Sequence, residues 1–204
     1  MVLGPPARFV GRGGEKLDAA LERFGIPVED RRALDVGAST GGFTDCLLQR
    51  GARAVVALDV GYGQLHERLR GDHRVEVHER TNIRHVAPGD LGPPFDLLVA
   101  DLSFISLRTV LPAMVALVAE RADLVLLVKP QFEAGREEVS RGRGVVSDPG
   151  TWRRVLQDVS DALAERGAAI MGAMASPITG ADGNVEFLVH AVIGAPGGPD
   201  VPAL

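Results

Sequence analysis

The segment Asp35-Val36-Gly37-Ala38-Ser39-Thr40-Gly41-Gly42-Phe43-Thr44 decides the fold. It begins within an apolar run, Arg32–Gly37, and leads into Thr40–Arg50, where apolar residues have helical spacing. Glycines at a strand-to-helix turn let the backbone approach a ligand closely, and the start of a helix offers free N–H groups. The segment therefore predicts a βα unit with a ligand-binding turn, although the glycines alone are also compatible with a tight turn that binds nothing.

An acidic residue favours the ligand-binding interpretation. Asp59 ends the next apolar run, Ala54–Asp59, where a carboxylate can accept hydrogen bonds from both hydroxyls of a ribose. Ser39 occupies the middle glycine position of the dinucleotide-binding motif, which favours a ligand without a pyrophosphate, such as S-adenosylmethionine. Asn82 is a candidate adenine contact, or an ordinary loop residue.

Apolar runs and helical segments alternate along most of the chain, which is typical of βαβ units. The other predicted strands are Val75–His78, Phe95–Asp101, Leu124–Lys129, Ala168–Ala175 and Val185–Val192. The other predicted helices are Gly14–Phe24, Gly63–Arg70, Leu107–Arg121 and Asp148–Arg166. We therefore expect an α/β fold with a seven-stranded, mostly parallel sheet and helices on both faces.

The expected organisation is one domain over residues 13–193, with a basic lead-in of Gly and Arg over 1–12 and a flexible tail over 194–204. The stretch 132–147 is predicted to be too polar to pack. With 204 residues, 46 % of them hydrophobic, the chain can bury one sizeable core. The single cysteine excludes an internal disulfide, and no signal core or membrane-length apolar run is visible, which predicts a cytoplasmic protein.

The cations are unusual in kind. Of 22 cationic residues only two, Lys16 and Lys129, are lysine, and the rest are arginine. The net charge of −5 argues against a surface that is basic throughout, but leaves room for a local basic patch. We expect no metal site.

The chain resembles the TlyA (hemolysin A) family in seven blocks, which are Gly11–Leu17, Leu34–Thr44, Asp59–Leu65, Glu79–Asn82, Asp101–Ser106, Lys129–Glu133 and Gly183–Glu186. This resemblance spans about residues 8 to 192. It implies a Rossmann-like methyltransferase fold and membership of the FtsJ-like, S-adenosylmethionine-dependent RNA ribose 2′-O-methyltransferases. Members of this family usually carry an N-terminal S4 RNA-binding domain; this sequence begins just upstream of the first matching block, so we expect a form without that module.

The resemblance also implies a catalytic tetrad of Lys16, Asp101, Lys129 and Glu186. A ribose hydroxyl needs a base to become a good nucleophile, and a lysine is a base only when it is partly deprotonated. By resemblance Lys129 is that base, Lys16 is the neighbouring cation that favours its neutral form, and the two acids orient the lysines. Taken singly, Lys129 and Glu186 are equally compatible with charged residues at strand ends.

The lysine count supports the tetrad. Arginine stays protonated at any relevant pH, so it cannot replace a lysine that acts as a base. The predicted cofactor-binding residues combine the glycine turn, the two acids and their neighbours: Asp35, Gly37, Ala38, Ser39, Gly41, Gly42, Phe43, Asp59, Val60, Asn82 and Asp101.

The substrate is predicted less sharply. Arginines that could contact the phosphates of a nucleic acid flank the proposed entrance to the active site. They are equally compatible with solvated loops, and they are Arg8, Arg12, Arg136, Arg141 and Arg143. Aromatic residues are scarce at 4 %, with Tyr62, Phe104 and Phe132 near the site. We expect RNA, most simply ribosomal RNA, as the substrate, with a small nucleoside or a sugar-bearing metabolite as the alternative. A membrane-active role, suggested by the hemolysin name, finds no amphipathic or apolar segment in the sequence.

Overall fold

The computed structural model describes residues 7–135, 139–140, 144–180 and 182–195. The strands in this part of the chain are β1 (Arg32–Val36), β2 (Ala54–Leu58), β3 (Val75–His78), β4 (Phe95–Ala100), β5 (Val118–Val128), β6 (Ala168–Ala175) and β7 (Phe187–Ile193). The α-helices are α1 (Gly13–Phe24), α2 (Gly42–Gln49), α3 (Glu67–Arg70), α4 (Leu107–Ala116), α5 (Pro130–Glu133) and α6 (Pro149–Ala164).

The strands form one sheet in the order β3-β2-β1-β4-β5-β7-β6. Strands β1 to β5 are parallel, whereas β7 runs antiparallel to both β5 and β6. The predicted seven-stranded, mostly parallel sheet is therefore confirmed. Because the order in which strands join the sheet reverses between β1 and β4, the carboxyl ends of these two strands open a crevice at that edge, where such sheets bind ligands.

The core lies on both faces of the sheet. Successive residues of β1 alternate, with Ala33 packing towards α1 and α2 and Leu34 towards α4 and α6. Strands β4 and β5 are buried on both faces in the same way, as expected for the centre of a parallel sheet. The predicted placement of helices on both faces is confirmed.

The predicted helix Leu107–Arg121 is wrong at its C-terminal end. Helix α4 stops at Ala116, and β5 begins at Val118, which pairs with Phe95. Further along β5, Ala122 pairs with Ile193 of β7. Pairing with two neighbouring strands therefore overrides a local pattern that is compatible with either structure.

The predicted helix Gly63–Arg70 is also too long, because only Glu67–Arg70 is helical. Gly63 has a φ of +70°, outside the helical region, and its N–H donates to the Glu79 carboxylate at 2.9 Å. The His66 side chain caps the short helix by accepting from the Arg68 N–H at 3.1 Å. The prediction for α6 is confirmed at its start, since Asp148 caps it through the Thr151 N–H at 2.7 Å.

The stretch 132–147 packs more than its polarity suggests. Glu133 and Val146 are both buried, so the prediction that this stretch is too polar to pack is wrong for these residues. At the other end of the chain, Phe9 is buried against α1 and α2, and the Val10 N–H donates to Asp45 at 2.9 Å. The core thus includes Phe9 of the lead-in, whereas residues 196–204 of the expected tail lie outside the described residues.

Candidate active site

The glycine turn after β1 shapes the first part of the site. Gly37 has a φ of +86°, and a Cβ there would overlap the carbonyl oxygen of Asp101, so only glycine fits. This close approach brings the ends of β1 and β4 together. Asp59 then fixes the turn, because its two carboxylate oxygens accept from the N–H groups of Ser39 at 2.8 Å and Gly61 at 2.7 Å.

A pocket of about 470 Å³ opens between the glycine turn and the loop that follows β4. Six of the predicted cofactor-binding residues line it, namely Gly37, Ser39, Asp59, Val60, Asn82 and Asp101. Apolar side chains from several elements complete the wall, namely Val36, Leu58, Ile83, Leu102, Ile105 and Val110. The pocket thus combines apolar walls with a carboxylate beside a glycine turn, the lining that a nucleoside requires.

The other predicted cofactor residues do not line this pocket, and they are Asp35, Ala38, Gly41, Gly42 and Phe43. Asp35 is fully buried and accepts a hydrogen bond from the Thr44 hydroxyl at 2.7 Å. Burial raises the pKa of the Asp35 carboxyl to about 7, and the charges of Asp101 and Asp59 act in the same direction. A Cβ at Gly42 would lie only 2.9 Å from the Gly14 nitrogen, so this glycine lets α2 pack closely on α1.

The four residues of the expected tetrad form two ion pairs. Lys16 Nζ lies 2.5 Å from Glu186 Oε2, and both side chains are buried. Lys129 Nζ lies 2.6 Å from Asp101 Oδ1, and the Asp101 side chain remains 24 % exposed. The first pair is therefore enclosed, whereas the second opens to the pocket.

The sheet topology brings these pairs to one edge. Asp101 follows β4 and Lys129 follows β5, so both stand at carboxyl ends of parallel strands. Glu186 precedes β7, whose first residue pairs with Val128, and this places Glu186 near Lys129. A Cβ at Gly13 would lie 3.7 Å from Asp101 Oδ2, so this carboxylate also faces the start of α1, the helix that carries Lys16.

Three residues without a predicted role lie close to the two ion pairs or to the loops that carry them. Ser103 Oγ accepts a hydrogen bond from Lys129 Nζ at 2.9 Å. Glu133 is buried between α5 and the start of α4. Asn184, two residues before Glu186, is fully buried. Its side-chain amide donates to the Gly144 carbonyl and accepts from the Val146 N–H. All three residues lie in blocks that resemble the family, which was the available signal, but periodicity does not mark a buried polar residue.

A second pocket of about 440 Å³ adjoins the first, and it is lined by Phe104, Ile105, Ser106, Gln131, Phe132, Ala134, Val139 and Ser140. Phe104 borders both pockets, is 92 % exposed, and packs against Phe132 with ring centroids 5.1 Å apart. Within the described residues, Gln131 Oε1 is buried without a hydrogen-bond partner. This pocket therefore offers an aromatic edge beside Lys129.

The predicted RNA-contacting arginines are only partly described. Arg12 is exposed at the start of α1, whereas Arg8 pairs with the Asp18 carboxylate on the outer side of that helix. The loop arginines Arg136, Arg141 and Arg143 lie outside the described residues. In the described ranges, none of the helices is both long and apolar enough to cross a bilayer.

Comparison with known proteins places this geometry among methyltransferases. The FtsJ-like methyltransferase family model matches residues 9–192. A Mycobacterium tuberculosis relative named 16S/23S rRNA (cytidine-2′-O)-methyltransferase TlyA is 55 % identical over 181 residues, covering 89 % of this chain and 67 % of the relative.

Two solved structures extend the comparison to the fold. A Streptococcus thermophilus protein that carries the name hemolysin is 43 % identical with a TM-score of 0.93, covering 98 % of this chain and 73 % of that one. An S-adenosylmethionine-dependent methyltransferase from Mesorhizobium loti is 18 % identical with a TM-score of 0.61, covering 85 % of this chain and 96 % of that one. The second likeness concerns the fold alone.

Proposed function

The chain belongs to the FtsJ-like methyltransferase family, and we propose that it methylates a ribose 2′-hydroxyl of ribosomal RNA with Lys129 as the base. It is an enzyme that uses S-adenosylmethionine. The observation that carries the proposal is the Lys129–Asp101 ion pair, which stands at the mouth of a nucleoside-sized pocket and beside a second pocket.

The first pocket fits S-adenosylmethionine by the chemistry of its lining. Asp59 is held by two backbone N–H groups at the end of β2, where its carboxylate can accept from ribose hydroxyls. Leu58, Ile83 and Val110 supply apolar surface for an adenine ring. When bound, the cofactor supplies an electrophilic methyl group.

The contacts of Lys129 suit proton transfer. Its ammonium donates to Asp101 at 2.6 Å and to Ser103 at 2.9 Å, so two of its three N–H directions are used. When the third proton is lost, the nitrogen lone pair takes that direction and can accept the proton of a ribose hydroxyl. The hydroxyl O–H bond breaks as an N–H bond forms on Lys129, and Asp101 then stabilises the ammonium that results.

The Lys16–Glu186 pair supports this step from α1. Glu186 stands at the start of β7, beside the strand that ends at Lys129, and Lys16 neutralises its buried charge. A buried carboxylate without that partner would be costly, by several kcal/mol. We propose that this pair fixes α1 against the end of the sheet beside Lys129.

The acceptor nucleotide is proposed to enter the second pocket. Phe104 and Phe132 offer ring surface for a base. The Mycobacterium tuberculosis relative is named for cytidine in 16S and 23S rRNA, and we extend that substrate to this chain as a proposal. Ribosomal RNA as substrate would place the enzyme in the cytoplasm.

Transfer of tritium from labelled S-adenosylmethionine tests the proposal. Ribosomal subunits, free ribosomal RNA and free cytidine are offered in parallel, and label on a ribose 2′-oxygen of RNA is the expected result. Lys129→Arg should lower transfer by about 10³-fold, because guanidinium does not act as a base. The reverse exchange Arg166→Lys, at the end of α6, is the matched control and should leave transfer unchanged.

Two outcomes would contradict the proposal. Activity on free cytidine alone would replace RNA with a small nucleoside as the substrate. Full activity of Lys129→Arg on RNA would remove Lys129 as the base while leaving the substrate in place.

A further inference from the structure

Glu133 is the buried carboxylate nearest in sequence to Lys129, and it reaches across to the loop that carries Asp101 and Ser103. We propose that Glu133 is a positioning residue, which holds the 101–106 loop against α5 and thereby keeps Asp101 and Ser103 at hydrogen-bond distance from Lys129. This inference rests on the proposed function, because it concerns the geometry of the same proton transfer.

The contacts of Glu133 occupy both of its carboxylate oxygens. Oε1 accepts from the Leu107 N–H at 2.6 Å, and Oε2 accepts from the Ser106 hydroxyl at 2.6 Å. The Arg108 guanidinium lies 3.6 Å from Oε2 and also donates to the Glu133 carbonyl at 3.3 Å. The side chain is only 2 % exposed, so its charge depends on these partners for stabilisation.

The connection from Glu133 to Lys129 is short and regular. Helix α5 spans Pro130–Glu133, and its turn is closed by the Phe132 N–H, which donates to the Lys129 carbonyl at 2.9 Å. One helical turn therefore separates the proposed base from Glu133. Any shift of the loop relative to α5 would change both the Lys129–Ser103 contact and the Glu133–Ser106 contact.

The loop is tied to neighbouring elements at both ends, whereas two residues at its centre are exposed. At its start, the Asp101 N–H donates to the Val36 carbonyl at 3.0 Å, which ties the loop to β1. Ser103 and Phe104 are exposed, and Phe104 has a φ of +64°, a conformation that is unfavourable for phenylalanine. The other end is held by Glu133, through Ser106 and the first N–H of α4.

The electrostatics of α4 favour a charged Glu133. A carboxylate at the start of a helix is stabilised by the unpaired N–H groups and by the helix dipole. Ser106 already caps this helix through the Arg108 N–H at 3.2 Å, so Glu133 adds a second partner from another element. Unlike the local Ser106 cap, Glu133 therefore links two elements, α4 and α5.

The test compares Glu133→Ala and Glu133→Gln with a control cap in α6. Asp148 accepts from the Thr151 N–H at 2.7 Å and the Thr151 hydroxyl at 2.9 Å, so Asp148→Ala removes similar bonds away from the site. At saturating cofactor and RNA, we expect the single-turnover rate of Glu133→Ala to fall about 30-fold, since displacement of a catalytic group by about 1 Å can cost 10²-fold. Glu133→Gln, which can still accept from Leu107, should recover most of that rate.

Amide hydrogen exchange supplies a readout that needs no substrate. Exchange at residues 101–108 should accelerate in Glu133→Ala and stay at the wild-type rate in Asp148→Ala, although both lose stability towards urea. Rates that fall in proportion to stability in both variants would show a merely structural role and overturn the inference, as would an unchanged rate in Glu133→Ala. A wild-type enzyme without activity on RNA would reject the proposed function, while the exchange result would still decide whether Glu133 holds the loop.

Discussion

Two charge clusters lie along β5. At its carboxyl end, Lys129 pairs with Asp101 beside the first pocket, and the neighbouring Lys16–Glu186 pair belongs to the same cluster. In the middle of the strand, Asp123 accepts from Arg31 at 2.5 Å through one oxygen and contacts His190 Nε2 at 2.7 Å through the other. Both clusters join neighbouring strands through a carboxylate, and both are largely shielded from water.

The difference lies in what each cluster leaves available. Both Asp123 oxygens are occupied, and neither the first nor the second pocket is lined by Asp123 or its partners. Lys129, in contrast, pairs with a carboxylate that lines a pocket, and it uses an amine that can lose a proton. Pairing with a carboxylate therefore does not distinguish the two clusters. What distinguishes them is the Lys129 amine, which lies beside a pocket.

Exchanging the cations between the two clusters should give the largest effect. Lys16→Arg places a larger, planar guanidinium in a site where the lysine is 8 % exposed and 2.5 Å from Glu186. We expect methyl transfer to fall by about 10²- to 10³-fold, because the two groups differ in size and hydrogen-bond geometry. Single-turnover assays with labelled S-adenosylmethionine measure this loss.

The matched exchange in the other cluster is Arg31→Lys. Its pair is partly exposed, so unfolding free energy should change by about 1 kcal/mol or less, and methyl transfer should stay at the wild-type level. Equal losses of activity in Lys16→Arg and Arg31→Lys would remove the distinction between the two clusters.

Asp35 should give the next largest effect, as a change in the pH dependence of stability. Its folded pKa of about 7 lies above the ordinary value of 3.8, so the native state binds more protons and its stability falls as pH rises from about 4 to 7. Asp35→Asn removes this dependence and should stabilise the protein at pH 8 by up to about 4 kcal/mol. Urea unfolding of both proteins from pH 4 to 8 measures the difference, and a difference that does not vary with pH would contradict the assignment.

Asp123 should show the opposite sign. Its partners Arg31 and His190 lower its pKa despite the opposing effect of partial burial, so its contribution is present above pH 3.8 and is lost as pH falls through the folded pKa. At pH 7, Asp123→Asn should cost about 1–3 kcal/mol of unfolding free energy while methyl transfer is retained. Urea midpoints at pH 7 and pH 3 measure the cost, which should be smaller at the lower pH.

Part of the arrangement of the Lys129 cluster can be predicted from the sequence, but the positions of all four of its residues cannot. The alternation of strands and helices predicts that Asp101 and Lys129 share one edge, because the carboxyl ends of parallel strands meet there. Glu186 and Lys16 join them through an antiparallel strand and a helix that precedes the sheet, which no local pattern specifies. Family resemblance assigned those two residues, and the structure supplies the contacts.

The incorrect predictions have a related cause. The apolar spacing in 107–121 is compatible with a helix or a strand, and distant pairing with Phe95 and Ile193 decided where α4 ends. The polarity of 132–147 concealed a buried carboxylate at Glu133, since composition does not reveal a hydrogen-bond partner elsewhere in the chain.

The smallest stability effect should come from the exposed edge of the site. Phe104 has a φ of +64° and is 92 % exposed, so its backbone conformation is strained while its side chain buries little surface. Phe104→Asn suits that conformation, because asparagine tolerates the left-handed region, and should raise unfolding free energy by about 0.5–1 kcal/mol.

The same substitution should weaken the enzyme, because the ring is proposed to contact the acceptor base. We expect KM for RNA to rise about 10-fold, the size expected for loss of one stacked base. Asp30→Asn is the control, since Asp30 has a φ of +60° outside both pockets, and it should leave KM unchanged. A rise in stability without a rise in KM would show that Phe104 is strained for a reason other than RNA binding, whereas opposite changes would show that the active-site edge exchanges stability for substrate contact.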